Sequence, residues 1–131
     1  EVVLTWKVSP KMDYQICLNA FWAFENELVK RSSSYLEKYA TTPIFKAGIH
    51  VGEVTTAEVG EIKKEIAYHG DTMNVASRIQ DMCNDYGQSL LISEDFKDLL
   101  KKSISFKIEL MGEEILRGKV NSLKIFAVNK I

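Results

Sequence analysis

The sequence predicts an α+β domain, in which a sheet is covered by separate helices. Short segments that alternate apolar and polar residues are typical of strands, and longer amphipathic stretches between them are typical of helices. The 131 residues suit one domain that can bury a core without disulfides or structural metals. We therefore expect residues 1–131 to form a single domain.

The first part of the chain is predicted to run strand, helix, strand. EVVLTWKV alternates apolar and polar residues and predicts a strand over 1–8. A long amphipathic helix is expected over about 12–39, weakened by the serine run 32–34 and ended near Pro43. The alternation in IFKAGIHVGEV (44–54) predicts a second strand.

The middle of the chain is predicted to contain a third strand and a second helix. EIKKE (61–65) is expected to be a loop or an exposed strand end, and IAYH (66–69) a strand. An amphipathic pattern with Val75, Ala76, Ile79, Met82, Cys83 and Tyr86 on its apolar stripe predicts the helix. It extends from about 72 to 86 and is closed by Gly87.

The last part of the chain is predicted to be mainly strand. SLLIS (89–93) reads as a buried strand, after which Ser93 can cap a short helix, EDFKDLLKK (94–102). The remaining segments are expected to be a strand, a turn, a short strand and a last strand, over 103–110, 111–114, 115–119 and 123–128.

Composition and charge exclude several classes of partner. The formal net charge is -1 without a basic block, so we expect no nucleic-acid partner. Cys17 and Cys83 lie in different predicted helices and no CxxC is present, which favours free thiols in a reducing compartment. No apolar run approaches the roughly 20 residues that span a bilayer. We expect a cytoplasmic protein, or the cytoplasmic domain of a membrane protein.

The polar stripe of the second helix holds the main functional candidates, Asn74 and Arg78. They are four residues apart and therefore share one face of the helix. Periodicity alone favours an ordinary solvated stripe. The alternative is functional, because Asn offers a donor and an acceptor and Arg a fork of donors that fits phosphate. Such a pair is able to orient a sugar and to neutralise a developing phosphate charge.

Other polar and aromatic residues are weaker candidates. His50 is expected to be a satisfied core or sheet-face residue rather than a ligand, and Glu113-Glu114 a solvated pair in a turn. Phe21 and Trp22 point in different directions on a helix, so one of them is expected to face another subunit. The glycine pattern matches neither a P-loop nor a dinucleotide fingerprint.

Five strings, in this order, resemble the class III adenylate/guanylate cyclase catalytic domain: FKAGIHVGEV, AYHGDTMNVASRI, LLIS, LRGK and LKIFAV. The resemblance covers about residues 1–128 and is most specific in GDTMNVASR. It implies a ferredoxin-like, palm-type sheet with helices packed on it. It also implies a dimer with active sites at the interface. There, two Mg²⁺ or Mn²⁺ ions assist the attack of the ribose 3′-hydroxyl on the α-phosphorus, and pyrophosphate leaves.

The resemblance also implies roles for individual residues. Asn74 falls on the position that orients the ribose, and Arg78 on the one that stabilises the transition state. Arg117 in LRGK falls where the family commonly has a lysine that reaches the terminal phosphates. Ala67 falls on a base-reading position but makes no side-chain hydrogen bond, so the base must be read by backbone near Tyr68 or by other groups. ATP is favoured as substrate, with GTP as the alternative.

The metal-binding part of such a domain is expected to lie outside this sequence. Both aspartates that hold the metals in the family fall before Glu1, so we expect no metal ligand in this chain and an N-terminally truncated domain that is inactive alone. A homodimer is expected, with a membrane or sensor domain possible upstream. The alternative function is a degenerate cyclase-like module, which binds nucleotide or a partner without turnover.

Overall fold

The computed structural model describes residues 3–9, 11–39, 44–52, 55–59, 65–69, 71–100, 106–115 and 122–130. Helices and strands alternate irregularly along these ranges. In chain order they are α1 (Gln15–Lys30), α2 (Ser32–Tyr39), β1 (Ala47–Ile49), β2 (Thr55–Val59), β3 (Glu65–His69), α3 (Asp71–Asp81), α4 (Cys83–Tyr86), β4 (Leu90–Ser93), α5 (Glu94–Lys97), β5 (Phe106–Ile115) and β6 (Ser122–Lys130).

The strands form a mixed four-stranded sheet and a separate two-stranded hairpin. The larger sheet has the order β1-β4-β6-β5, and the hairpin pairs β2 with β3. β1 and β4 are parallel, whereas the β4–β6 and β5–β6 pairs are antiparallel. A parallel pair needs a crossover connection, which here contains the β2–β3 hairpin, α3 and α4. The α+β class is confirmed.

Strand β4 lies at the centre of the core and has helices over both faces. Successive side chains of a strand point to opposite faces. Leu90 and Ile92 pack with α1 residues, and Leu91 packs with residues of α3 and of the helix that follows it. All three are at most 1% exposed. The core therefore has three layers, with α1 on one side of the sheet and α3 on the other.

The α1 layer is more completely aromatic than expected. Phe21 and Trp22 are both buried, and their rings meet edge-to-face with centroids 4.8 Å apart. The expectation that one of them faces another subunit is wrong, because α1 packs on the sheet so that both side chains are covered. Phe24 is the half-exposed aromatic residue of this helix. The centroid of its ring lies 5.5 Å from that of Phe45.

The α3 layer follows the predicted apolar stripe. Val75, Ile79 and Cys83 are buried against Ile125 and Ala127 of β6. The helix breaks at Met82, so the stripe is shared by α3 and the single turn α4. Cys17 and Cys83 are both buried and free, as predicted.

The predicted strand over 1–8 is not observed in its described part, residues 3–9. Alternation makes a segment suitable for a strand, but a strand exists only where a neighbour completes its hydrogen bonds. In the larger sheet, every strand pairs only with β1, β4, β5 or β6. The apolar side chains Val3, Leu4 and Val8 consequently remain about half exposed.

The predicted turn at MGEE (111–114) is a second error. Strand β5 continues through it to Ile115, because these residues pair with the last strand up to the register Ile115↔Ser122. The irregularity that the sequence signals is a register shift between Leu110 and Gly112. A glycine inside a strand is typical of such a bulge.

Helix lengths and one hairpin also differ from expectation. The long first helix is divided at Arg31 into α1 and α2, next to the serine run. The short helix α5 ends at Lys97 instead of continuing to 102, although Ser93 caps it as predicted, its Oγ accepting from the Phe96 amide at 3.3 Å. Strand β2 was missed because its sequence, TTAEV, has only two apolar residues, a pattern too short to predict a strand. None of the helices described is long and apolar enough to cross a membrane.

Gly87 ends α4 in the left-handed conformation, with φ +63°. Its amide donates to the Asn84 carbonyl, and the next amide donates to the Cys83 carbonyl at 2.9 Å. Residues with a β-carbon rarely adopt this conformation, whereas asparagine tolerates it better than alanine.

We predict that Gly87→Ala lowers the free energy of unfolding by about 1 kcal/mol. Open space surrounds the position, so backbone strain is the only cost. Urea denaturation measures the loss, and Gly87→Asn is the matched control, expected to lose less than half as much. Equal losses for the two variants would contradict the assignment to left-handed strain.

Candidate active site

The two main candidates lie side by side on the exposed face of α3. Asn74 and Arg78 are both exposed, whereas Val75 and Ile79, each one residue further along, are 4% and 0% exposed. The helix is therefore held in the core by one stripe and presents the other to solvent. An amide and a guanidinium one turn apart offer donors in a fixed relation to each other.

The predicted base-reading residues precede this helix directly. Ala67 and Tyr68 belong to β3, where they pair with Ala57 and Thr56 of β2. This strand ends at His69 and α3 begins two residues later. The backbone that carries Ala67 and Tyr68 thus leads straight into the helix with Asn74 and Arg78. Arg117 lies outside the described residues.

A largely apolar cavity of about 720 Å³ lies beside β1, between α1, α3 and the segment 3–8. Ser77 and Asp81 of α3 line it, whereas Asn74 and Arg78 lie outside it. The candidate pair is therefore on the exposed face of α3 and does not line this cavity.

Metal ligands are the part of the site that the described residues do not supply. No group of three or more His, Cys, Asp or Glu side chains among them is arranged to hold a metal ion. Mg²⁺ prefers carboxylate and water oxygens. The described residues therefore do not fit a complete site for divalent cations.

Glu113 and Glu114, predicted to be a solvated pair in a turn, are hydrogen-bonded residues of β5. Glu113 accepts from the Ser122 hydroxyl. Glu114 accepts from the Tyr86 hydroxyl with an Oη–Oε1 distance of 2.5 Å. The second bond ties the end of α4 to β5, and no sequence pattern reveals it, because the partners lie 28 residues apart.

The Tyr86 hydroxyl is kept protonated by its surroundings. The hydrogen bond to Glu114 is the main cause, and desolvation together with the negative charges of Glu114 and Asp85 adds to it, which raises the pKa of Tyr86 to about 12. Burial similarly raises the pKa of the Cys17 and Cys83 thiols. Both thiols therefore stay protonated and poorly nucleophilic near neutral pH.

His50 is a satisfied residue, as predicted. It follows β1 directly, and its Nδ1 lies 2.8 Å from the Ser93 hydroxyl. Because that same hydroxyl caps α5, the contact links the end of β1 to the end of β4. We therefore assign His50 a structural role in linking these two strand ends.

Comparison with known proteins identifies a family for this arrangement. Residues 18–130 match the family model described as the adenylate and guanylate cyclase catalytic domain. This match includes α3 with Asn74 and Arg78, and the strands on both sides of it.

Individual relatives support the match. The chain is 25% identical over 126 residues, 96% of its length, to adenylate cyclase 2 of Rhizobium meliloti, and 36% identical over 62% of its length to adenylate cyclase 1 of that organism. It is 28% identical over 72% of its length to the receptor-type guanylate cyclase gcy-28 of Caenorhabditis elegans. It spans 35%, 12% and 8% of these relatives, respectively.

A monomeric adenylate cyclase structure from Trypanosoma brucei has a similar fold. The TM-score is 0.50 at 20% identity, and the likeness covers 82% of this chain and 53% of that one. At this identity the similarity concerns the fold alone.

We predict that the Tyr86–Glu114 bond stabilises the fold below about pH 10 and that its contribution is lost as the pH rises from about 10 to 12. The sign follows because the pKa of Tyr86 is higher in the folded than in the unfolded chain, so folding favours the protonated hydroxyl. The free energy of unfolding of the native protein minus that of Tyr86→Phe should be positive at about pH 8 and smaller at about pH 11.

Glu114→Gln provides the control for this prediction, since it removes the charged acceptor but keeps the side-chain shape. In that background the effect of Tyr86→Phe should depend much less on pH. A difference between native protein and Tyr86→Phe that is the same at both pH values would show that the bond does not stabilise the fold.

Proposed function

Because this chain belongs to the adenylate and guanylate cyclase catalytic domain family, we propose that it forms part of a cyclase active site. The reaction converts ATP, in preference to GTP, to a 3′,5′-cyclic nucleotide and pyrophosphate. One observation carries the proposal: Asn74 and Arg78 lie exposed and one turn apart on a helix whose neighbouring stripe is locked in the core. ATP is favoured because the relative matched over 96% of the chain is named an adenylate cyclase.

Arg78 serves the phosphate side of the reaction. The ribose 3′-oxygen bonds to the α-phosphorus, its proton leaves, and the bond from the α-phosphorus to pyrophosphate breaks. Negative charge on the α-phosphate oxygens grows as this happens. A guanidinium held in place on a packed helix stabilises that charge without reorganising, so it accelerates the chemical step more than it strengthens substrate binding.

Asn74 serves the sugar side. Its amide has both a donor and an acceptor, and one turn of helix separates it from Arg78. We assign it the orientation of the ribose, so that the 3′-hydroxyl is directed at the phosphorus. Correct orientation of reacting groups is itself worth several orders of magnitude in rate.

The remaining residues of the proposed site concern base and terminal phosphates. Ala67 and Tyr68 are proposed to contact the base through the backbone of β3, which leads into α3. Arg117 is proposed to bind the terminal phosphates, where a guanidinium offers a bidentate contact that a lysine cannot. GTP is the alternative substrate, since one relative is named a guanylate cyclase.

The proposed assembly needs groups that the described residues do not supply. Mg²⁺ or Mn²⁺ would be held by carboxylates elsewhere in the assembly and would supply a clamp for the attacking and leaving oxygens. We propose a homodimer in which Asn74 and Arg78 act on nucleotide bound at the subunit interface, and a cytoplasmic location for the domain.

We predict that Arg78→Ala in the full-length protein lowers kcat by roughly 10²–10³, with a smaller change in KM, because the lost contact strengthens in the transition state. Cyclic AMP and cyclic GMP are both measured, with Mg²⁺ and with Mn²⁺. Arg31→Ala is the matched control, since it removes an exposed arginine between α1 and α2 that pairs with Glu27. An unchanged kcat in Arg78→Ala would contradict the role assigned to Arg78.

The degenerate-module alternative gives a different pattern. A domain that binds nucleotide without turnover would show a higher melting temperature with ATP or GTP and no cyclic product. Ala67 favours this alternative, because its side chain makes no hydrogen bond to a base. The cyclase proposal expects both the thermal shift and the product in the native protein, whereas Arg78→Ala should keep most of the shift and lose the product.

A further inference from the structure

We propose that Gly48 is a positioning residue for the cyclase reaction, which sets the distance of helix α3 from the sheet and thereby the placement of Arg78. The proposal rests on the function proposed above and deepens it. Its basis is the lack of space between β1 and α3. A β-carbon built at Gly48 would lie 2.4 Å from the Gln80 amide nitrogen and 2.7 Å from the Ala76 carbonyl oxygen.

Both of these atoms belong to the helix backbone, so they cannot rotate out of the way. Carbon atoms of side chains are normally at least 3.4 Å from such neighbours. Any side chain at position 48 therefore has to move the helix away from the strand by about 1 Å. A glycine inside a strand is typical of a place where another backbone approaches closely.

A second contact lies one helical turn before Ala76, at Thr72. A β-carbon at Gly52 would lie 2.5 Å from the Thr72 hydroxyl oxygen, but there the nearest atoms all belong to that side chain. Thr72, Ala76 and Gln80 recur every four residues and form one stripe of α3. This stripe rests on the segment from Gly48 to Gly52. The contact at Gly48 is with the helix backbone, whereas the contact at Gly52 is with one side chain, which Thr72→Ala would remove.

The geometry of a helix connects this stripe to the candidate pair. Residues turn by about 100° each, so Asn74 and Arg78 lie about 200° around the axis from Thr72 and Ala76. They therefore project from the side of α3 that is opposite to its contact with β1. A helix pushed off the strand carries both functional groups outward by the same distance.

A displacement of this size matters for the reaction more than for binding. Misplacing a catalytic group by about 1 Å can cost up to 10²-fold in rate. Gly48→Ala is therefore expected to lower kcat by about 10- to 100-fold with a change in KM of less than about 3-fold. Loss of stability alone would lower the amount of active protein, and it would do so equally in every background.

The test is a double-mutant cycle between Gly48→Ala and Arg78→Ala in the full-length protein, with kcat determined for cyclic nucleotide formation. If Gly48 acts through Arg78, Gly48→Ala should lower kcat about 10-fold or more in the native background and clearly less when Arg78 is already alanine, where only the displacement of Asn74 still acts. Equal losses in the two backgrounds overturn the proposal.

Gly87→Ala is the control for stability, because it strains the end of α4 without touching the contact between α3 and β1. It should lower the melting temperature and leave kcat per folded molecule unchanged. Gly52→Val provides a second push on the helix from an exposed position, should Gly48→Ala not fold. It is expected to lower kcat, and Thr72→Ala in the same chain is expected to restore it, with Thr72→Ala alone as reference.

The outcomes separate this inference from the proposed function. If Arg78→Ala leaves kcat intact, or if the native protein forms no cyclic nucleotide, the function fails and the positioning role fails with it. If Arg78→Ala abolishes turnover while Gly48→Ala and Gly52→Val behave like Gly87→Ala, only the positioning role is wrong.

Discussion

Burial of strand β4 is the constraint on which the rest of the structure depends. It is hydrogen-bonded to β1 on one side and to β6 on the other, and both of its faces are covered by helices. Leu90, Leu91 and Ile92 are almost completely inaccessible to solvent. Each such side chain contributes about 1.5–3 kcal/mol through burial, so the four-residue strand stabilises three layers at once. It carries none of the residues proposed for catalysis.

The position of α3 follows from that strand and its neighbour. Leu91 of β4 and Gly48 of β1 are partners in the register and face the same helix. Because Leu91 on β4 has a large side chain and Gly48 on β1 has none, helix α3 lies close to β1. Packing on this side consequently decides where the opposite side of α3, with Asn74 and Arg78, is presented. The function proposed for this helix would depend on contacts made by residues that do not react.

The features that could be predicted from sequence are those with a local cause. The apolar stripe of α3, the Ser93 cap and the left-handed Gly87 each depend on residues within a few positions of one another. The errors have nonlocal causes. Residues 3–9 have the alternation of a strand but pair with no strand of the sheet, whereas MGEE has turn residues but is kept extended by its pairing with β6.

The features of the candidate site also divide into those with a local cause, which could be predicted, and those with a nonlocal cause, which could not. That Asn74 and Arg78 share a face follows from the helical period, and their exposure was predicted from it. The Tyr86–Glu114 bond was not predictable, since it joins two elements whose approach depends on the whole sheet. The meeting of Gly48 with the backbone of Ala76 and Gln80 was not predictable for the same reason.

The choice between a solvated and a functional stripe can therefore not be made on the stripe itself. Both interpretations expect Asn74 and Arg78 to be polar, exposed and one turn apart. They differ in what they require of the opposite side of α3. With a merely solvated stripe, a helix that shifts by 1 Å loses core packing but no function, and a strand residue with higher β-propensity than glycine would partly offset that loss in β1. A reacting stripe does not tolerate that shift.

Glycine at the centre of the three-residue strand β1 breaks a local rule at the point where the helix is closest. Such conflicts between local preference and global structure are expected at functional sites. The proposed function expects such a conflict at Gly48, and the close packing of α3 on β1 requires glycine there as well.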